Sequence, residues 1–80
     1  MHHVYILECA DGTLYVGCTN DLAKRLRQHN GAKAGAHYTK IRRPVVLKYS
    51  ERFRIFAKAR AREAELKRLT RKEKLALIRP

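Results

Sequence analysis

Two apolar, β-branched and aromatic segments, His3 to Cys9 and Thr13 to Cys18, flank the tripeptide Ala10-Asp11-Gly12. This arrangement constrains the chain more than any other, because alternating runs on either side of a short turn ending in Gly are a strong hairpin signal. Two registers satisfy it. A two-residue turn at Asp11-Gly12 pairs Tyr5 with Cys18 and Glu8 with Tyr15, and the pleat then sends the two phenols to opposite faces. A three-residue loop with Gly12 left-handed, as a bulge, pairs Tyr5 with Gly17 and Leu7 with Tyr15. Both phenols then share one face, while Val4, Ile6, Leu14 and Val16 share the other. The second partition is cleaner, so the bulged register is expected. In it Gly17, lacking a side chain, leaves an opening beside Tyr5.

The remaining elements follow from local chemistry. Thr19-Asn20-Asp21 offers N-cap side chains for a helix over 21–30, with Leu22, Leu26 and His29 along one face. Residues 31–40 are small and polar and read as a loop. Pro44 to Tyr49 reads as a third strand, with Pro44 tolerated at its first position. A helix over 56–68 carries Phe56, Ala59 and Leu66 on its apolar side, continued by Leu69. Thr70-Arg71-Lys72-Glu73 is a capping box, so a further short helix begins there and packs through Leu75 and Ile78. No repeat, low-complexity tract or internal linker interrupts this order. The expectation is an α/β (α+β) domain, a small three-stranded antiparallel sheet flanked by three helices, in a chain of 80 residues. The position of the third strand within the sheet is left open.

Charge points to the partner. Nineteen Lys and Arg stand against seven Asp and Glu, for a net +12. Residues 1–41 contribute five basic and three acidic side chains, net +2, and residues 42–80 contribute fourteen and four, net +10. Such a field attracts polyanions, and Arg, which outnumbers Lys, is the better phosphate fork. Nucleic acid is therefore the expected partner. The longest uncharged apolar run is Val4 to Leu7, which predicts neither a membrane-spanning helix nor a signal peptide. Two cysteines, Cys9 and Cys18, without CxxC spacing suggest neither a disulfide scaffold nor zinc. A reducing cytoplasm is expected.

Several side chains could carry chemistry, each with an ordinary alternative. Paired tyrosines on a sheet are more often packing than catalysis. Arg25 and His29, four apart, share one helix face, where such residues are usually solvated. Glu63 lies between Ala59 and Leu66, at the rim of an apolar helix side. A carboxylate aimed at a sheet needs a partner. A salt bridge to Arg25 or Arg60 is the plain answer, and one divalent cation, completed by water and phosphate oxygens, is the sharper one.

Taken together, Val4-Tyr5-Ile6-Leu7, Leu14-Tyr15-Val16-Gly17, Thr19, Leu22, Arg25, His29 and Asn30 resemble the GIY-YIG nuclease domain. The stretch Arg62-Glu63-Ala64-Glu65-Leu66-Lys67-Arg68-Leu69 is similar to that family's metal-binding helix. Tyr38-Thr39, Arg42-Arg43-Pro44 and Tyr49-Ser50 complete the pattern of its small single-domain bacterial YhbQ-like members. The resemblance spans residues 3–78, and makes 1–80 a single domain of this type. His3 stands where the motif has its first glycine, and Cys18 where excision-repair relatives carry lysine.

The resemblance implies a metal-dependent endonuclease that hydrolyses DNA phosphodiesters by in-line attack of water, acting on repair- or recombination-type structures. Tyr5 and Tyr15 would hold and deprotonate the water, with Tyr5 narrowly preferred as base. Arg25 would neutralise the non-bridging oxygens and His29 would assist. Glu63 would bind one Mg²⁺ or Mn²⁺. Gly17, Thr19, Asn30 and Tyr38 would support the site. Arg42, Arg43, Arg60, Lys67, Arg68, Arg71 and Lys72 would contact phosphates, positioning the substrate without reading sequence. The implied partner is DNA, branched or single-stranded, with RNA as the other nucleic acid, no membrane, and a partner subunit left open. The rival reading is a nucleic-acid-binding module with weak or vestigial catalysis. The catalytic reading requires both hydroxyls, Arg25, His29 and Glu63 around one concave surface.

Overall fold

A computed structural model describes residues 1–31 and 42–79. Three strands, β1 (His2–Cys9), β2 (Leu14–Thr19) and β3 (Val45–Phe53), form an antiparallel sheet in the order β2-β1-β3. Among the described residues three helices accompany it, α1 (Leu22–Asn30), α2 (Phe56–Arg68) and α3 (Arg71–Ile78). The third strand is thus antiparallel and lies beside β1, leaving β2 as an edge.

The hairpin takes the bulged register. Tyr5 faces Gly17 and Leu7 faces Tyr15. Gly12 has φ +83°, the left-handed conformation that a side chain resists, and the loop closes through Cys9 N–H to Thr13 O at 2.8 Å and Gly12 N–H to Cys9 O at 2.9 Å. The two faces separate as the alternation requires. Val4, Ile6 and Val16 pack with Ala59 and Leu66 of α2, joined by Tyr49, Phe53, Leu77 and Ile78. On the other face Tyr5, Leu7, Cys9 and Val45 pack with Tyr15, Leu47, and Leu22 and Leu26 of α1. Cys9 and Cys18 fall on opposite faces and both are free thiols.

β3 runs four residues past the expected end at Tyr49. Its pairing with β1 slips between Ile6 and Leu7, so that Leu47 opposes Leu7 while Tyr49 opposes Ile6. The extra residue, Lys48, changes the parity of the strand. Val45 and Leu47 consequently face α1, whereas Tyr49 and Phe53 face α2. One strand therefore supplies both layers.

The helix ends are tied as the sequence predicts in two cases. Asp21 caps α1 by accepting from Lys24 N–H at 3.0 Å. Thr70 and Glu73 form the full reciprocal capping box of α3. α2 starts differently, with Ile55 at its N-cap and no side-chain cap.

Candidate active site

Four of the anticipated side chains meet on the α1 face. Tyr5 projects from the central strand and lies over Gly17 of β2. A Cβ on Gly17 would stand within 3.0 Å of the phenol ring, so Tyr5 occupies the space that a side chain there would need. The Tyr5 hydroxyl is hydrogen-bonded to His29 Nε2 at 3.0 Å. Both groups are buried, Tyr5 at 1% exposure and His29 at 0%. Two buried polar groups are tolerated because they satisfy each other. The half-buried Tyr15 closes the trio, its ring centroid 5.2 Å from His29 and 6.5 Å from Tyr5. Arg25, one turn before His29 on α1, lies close enough to the Tyr5 phenol to favour its ionised form, and donates to Gln28 Oε1 at 3.1 Å.

Electrostatics set the resting protonation. Burial pushes the Tyr5 phenol up to about 12, with Tyr15 and Glu63 adding to the rise and Arg25 opposing it. Burial also pushes His29 down to about 4, helped by the positive charge of Arg25 and Arg43. Near neutral pH the pair is therefore a neutral phenol against a neutral imidazole.

The other anticipated residues surround this trio with structural ties. Thr19 Oγ1 accepts from Asp21 N–H at 3.1 Å and shapes the turn from β2 into α1. Asn30 clamps the end of α1 to the start of β3, donating to Val45 O at 3.0 Å and accepting from Val45 N–H at 2.7 Å. Arg43 donates to the last carbonyls of α1, His29 O and Gln28 O, which suits a cation at a helix C-terminus. Arg42 pairs with Asp11 at 3.0 Å, and Arg71 donates to Gly12 O. Tyr38 lies outside the described residues.

Glu63 sits on α2, on the sheet side of that helix with Ala59 and Leu66. Its carboxylate is 8% exposed and salt-bridged at both oxygens, to Arg60 Nη1 at 2.8 Å and Lys67 Nζ at 3.2 Å. Arg60 is thus one of the two partners anticipated for it, and Lys67 is an addition. Glu63 belongs to the opposite layer from Tyr5, yet its charge adds to the burial that raises both the Tyr5 phenol and the Cys18 thiol.

A second network escaped sequence reasoning. Glu51 of β3 accepts from Arg62 Nε at 3.1 Å and from the Tyr49 hydroxyl, and Arg62 also reaches Glu65 at 3.3 Å. The Tyr49 phenol is raised, mainly by its hydrogen bond to Glu51. This network fastens α2 to β3 and so fixes the height of Glu63 against the sheet. Its traces in the sequence are the spacing of Tyr49 and Glu51, which places both on one face of a strand, and of Arg62 and Glu65, one helical turn apart.

Comparison with known proteins gives a consistent picture. A family model described as the GIY-YIG catalytic domain matches residues 1–76. A UPF0213 protein of Syntrophus aciditrophicus is 50% identical over 78 residues, covering 98% of this chain and 90% of that protein. A UPF0213 protein of Staphylococcus saprophyticus is 49% identical over 77 residues, covering 96% and 93%. The solution NMR structure of a UPF0213 protein from Bacillus halodurans superimposes with a TM-score of 0.62 at 40% identity, covering 96% of this chain and 81% of that one.

Proposed function

The chain belongs to the GIY-YIG catalytic-domain family, a family of nuclease type, and from that premise we propose that it is a metal-dependent endonuclease acting on branched or single-stranded DNA. The observation that carries this reading is the buried Tyr5–His29 hydrogen bond beside Tyr15 and Arg25. A fold has little reason to bury a phenol on an imidazole under a guanidinium for packing alone, when an apolar pair would serve without desolvation.

The roles divide by exposure and charge. Tyr5 at about 12 lies some five units above neutral pH, and its ionisation there would cost roughly 7 kcal/mol. It is also sealed from solvent. Tyr15 is the phenol with an open side, so it is the one to meet the attacking water, and Tyr5 and His29 hold it in place. Arg25 is the cation available for the non-bridging phosphate oxygens. His29, uncharged and bonded to the Tyr5 hydroxyl, positions that phenol beside Tyr15.

Glu63 suits a hard divalent cation. It offers a buried carboxylate, and the cations now on it come from side chains 59% and 57% exposed, whose ends can swing away. Mg²⁺ or Mn²⁺ held there would stabilise charge on the leaving 3′-oxygen. Neutralising Glu63 would also withdraw one of the influences that raise Tyr5. The second reading, binding with weak catalysis, draws support from the same facts, since the resting site has its carboxylate paired and its buried phenol protonated. On either reading the chain works in the cytoplasm, and the basic side chains at 42, 43, 60, 67, 68, 71 and 72 hold phosphates.

The test uses labelled forked, single-stranded and duplex DNA with Mg²⁺, Mn²⁺ or EDTA. Cutting should require metal and should fall roughly 100-fold or more in Glu63→Ala and Arg25→Ala while binding persists. The logarithm of the binding constant should fall with log salt at a slope of about −4 to −7, as expected for five to seven neutralised phosphates. Retention without cutting by the unaltered protein selects the binding module. Affinity independent of salt removes both readings.

A further inference from the structure

The start of α2 presents an unusual surface. Ile55 and Phe56 follow one another at 53% and 55% exposure, on a helix whose N-cap makes no side-chain bond. Two side chains lie near the Phe56 ring. The His2 ring lies against it with centroids 5.1 Å apart and planes tilted at 55°. The Arg60 guanidinium stands over it, 6.0 Å from the ring centroid. The same guanidinium bonds Glu63 at 2.8 Å, so one cation links the exposed ring to the carboxylate of the candidate site.

The surroundings are strongly cationic. Between positions 52 and 60 the chain carries Arg52, Arg54, Lys58 and Arg60 and no carboxylate. The first three are exposed, and none of them has an ion pair among the described residues. A wet aromatic ring with a guanidinium over it, set among cations, matches what holds an unpaired base: a π-surface for the base and charge for the flanking phosphates. The apolar content is too small to favour a lipid surface. Two neighbouring side chains offer little area to bury, whereas a lone ring suffices for one base.

We propose that Phe56 and Arg60 form a stacking site for an unpaired nucleobase of the bound strand. The proposal rests on the nucleic-acid reading above and adds a reason for structure selectivity. A duplex keeps its bases stacked internally and cannot use the ring, whereas a single strand, flap or fork can. Because Arg60 spans ring and carboxylate, the stacked nucleotide lies next to the candidate metal residue, which sets where a strand enters the site.

The experiment measures binding in EDTA, so that cleavage plays no part. A short single-stranded oligonucleotide carrying the fluorescent base aminopurine is titrated into wild-type protein, Phe56→Ala and Phe56→Trp, beside a blunt duplex of the same sequence. Wild type should quench the fluorescent base. Phe56→Ala should lose roughly 5- to 150-fold affinity for the single strand, with less than about 2-fold change on the duplex. Phe56→Trp should retain or improve the single-strand affinity. An oligonucleotide with abasic sites, offered to wild type, should behave as the normal strand does with Phe56→Ala, which gives a reading independent of any variant's folding. Equal losses on single strand and duplex would overturn the proposal, as would no loss on either. So would Phe56-dependent binding to phosphatidylglycerol vesicles with unchanged single-strand affinity. Salt-dependent binding that ignores Phe56 would remove the stacking site and leave the nucleic-acid reading intact.

Discussion

Beneath the sheet, Val4, Ile6, Val16, Ala59 and Leu66 pack carbon against carbon; above it, the same hairpin buries a phenol on an imidazole. Adjacent residues of β1 thus serve two purposes. Val4 and Ile6 contribute by leaving water, which is non-directional and tolerant of detail. Tyr5 contributes through one bond of defined length to one atom of a residue 24 positions away. The lower face stabilises the fold, and the upper face spends some of that stability on keeping polar groups dry.

The contrast breaks most readily at Leu66, fully buried in the lower cluster. Leu66→Ala should cost about 2–5 kcal/mol by urea denaturation. That is a large part of the roughly 4–12 kcal/mol available to a chain this size. Activity per folded molecule should hardly change. A larger loss of activity than of stability would mean that the lower face positions the site as well.

The next effect belongs to the upper face and depends on pH. His29 is held at about 4 in the fold against 6.5 when unfolded, so the folded state resists taking up the proton. Its contribution is fully present above pH 6.5 and is lost as pH falls toward 4, by up to about 3 kcal/mol. Thermal melts of wild type and His29→Gln across this window should converge toward acid. Parallel curves would mean that the imidazole carries no such linkage.

Tyr5→Phe should have the smallest effect on stability. It keeps the ring over Gly17 and leaves Nε2 of His29 without its bond, at a cost of about 1–3 kcal/mol by the same denaturation. On the proposed function it should nevertheless lower cutting far more than Leu66→Ala does. The reverse order would make the phenol a packing residue.

Much of the upper face was legible in the sequence, for a simple reason. A hairpin allows few registers, and only one of them brings Tyr5 and Tyr15 together while leaving Val4, Ile6, Leu14 and Val16 on the other side. Local codes behaved likewise, since Asp21, Thr70 and Glu73 act within one turn of where they stand. Contacts between distant segments were not legible. The polar run Ser50-Glu51-Arg52 hid the end of β3, because the bulge at Lys48 turns its partnered residues toward a different layer. Nothing local announces that Arg43 will bind the end of α1, or that Asn30 will clasp Val45. Glu63 was half legible. Its partners Arg60 and Lys67 follow from helical spacing, whereas its placement on the opposite layer from Tyr5 depends on tertiary packing.

The intimacy of Tyr5 with the edge strand has an evolutionary corollary. Position 17 brings no side chain to the chemistry, yet even one added methyl would evict the aromatic group now resting on its α-carbon. A residue without side-chain chemistry is thereby held to glycine, and what it contributes is bareness rather than a functional group.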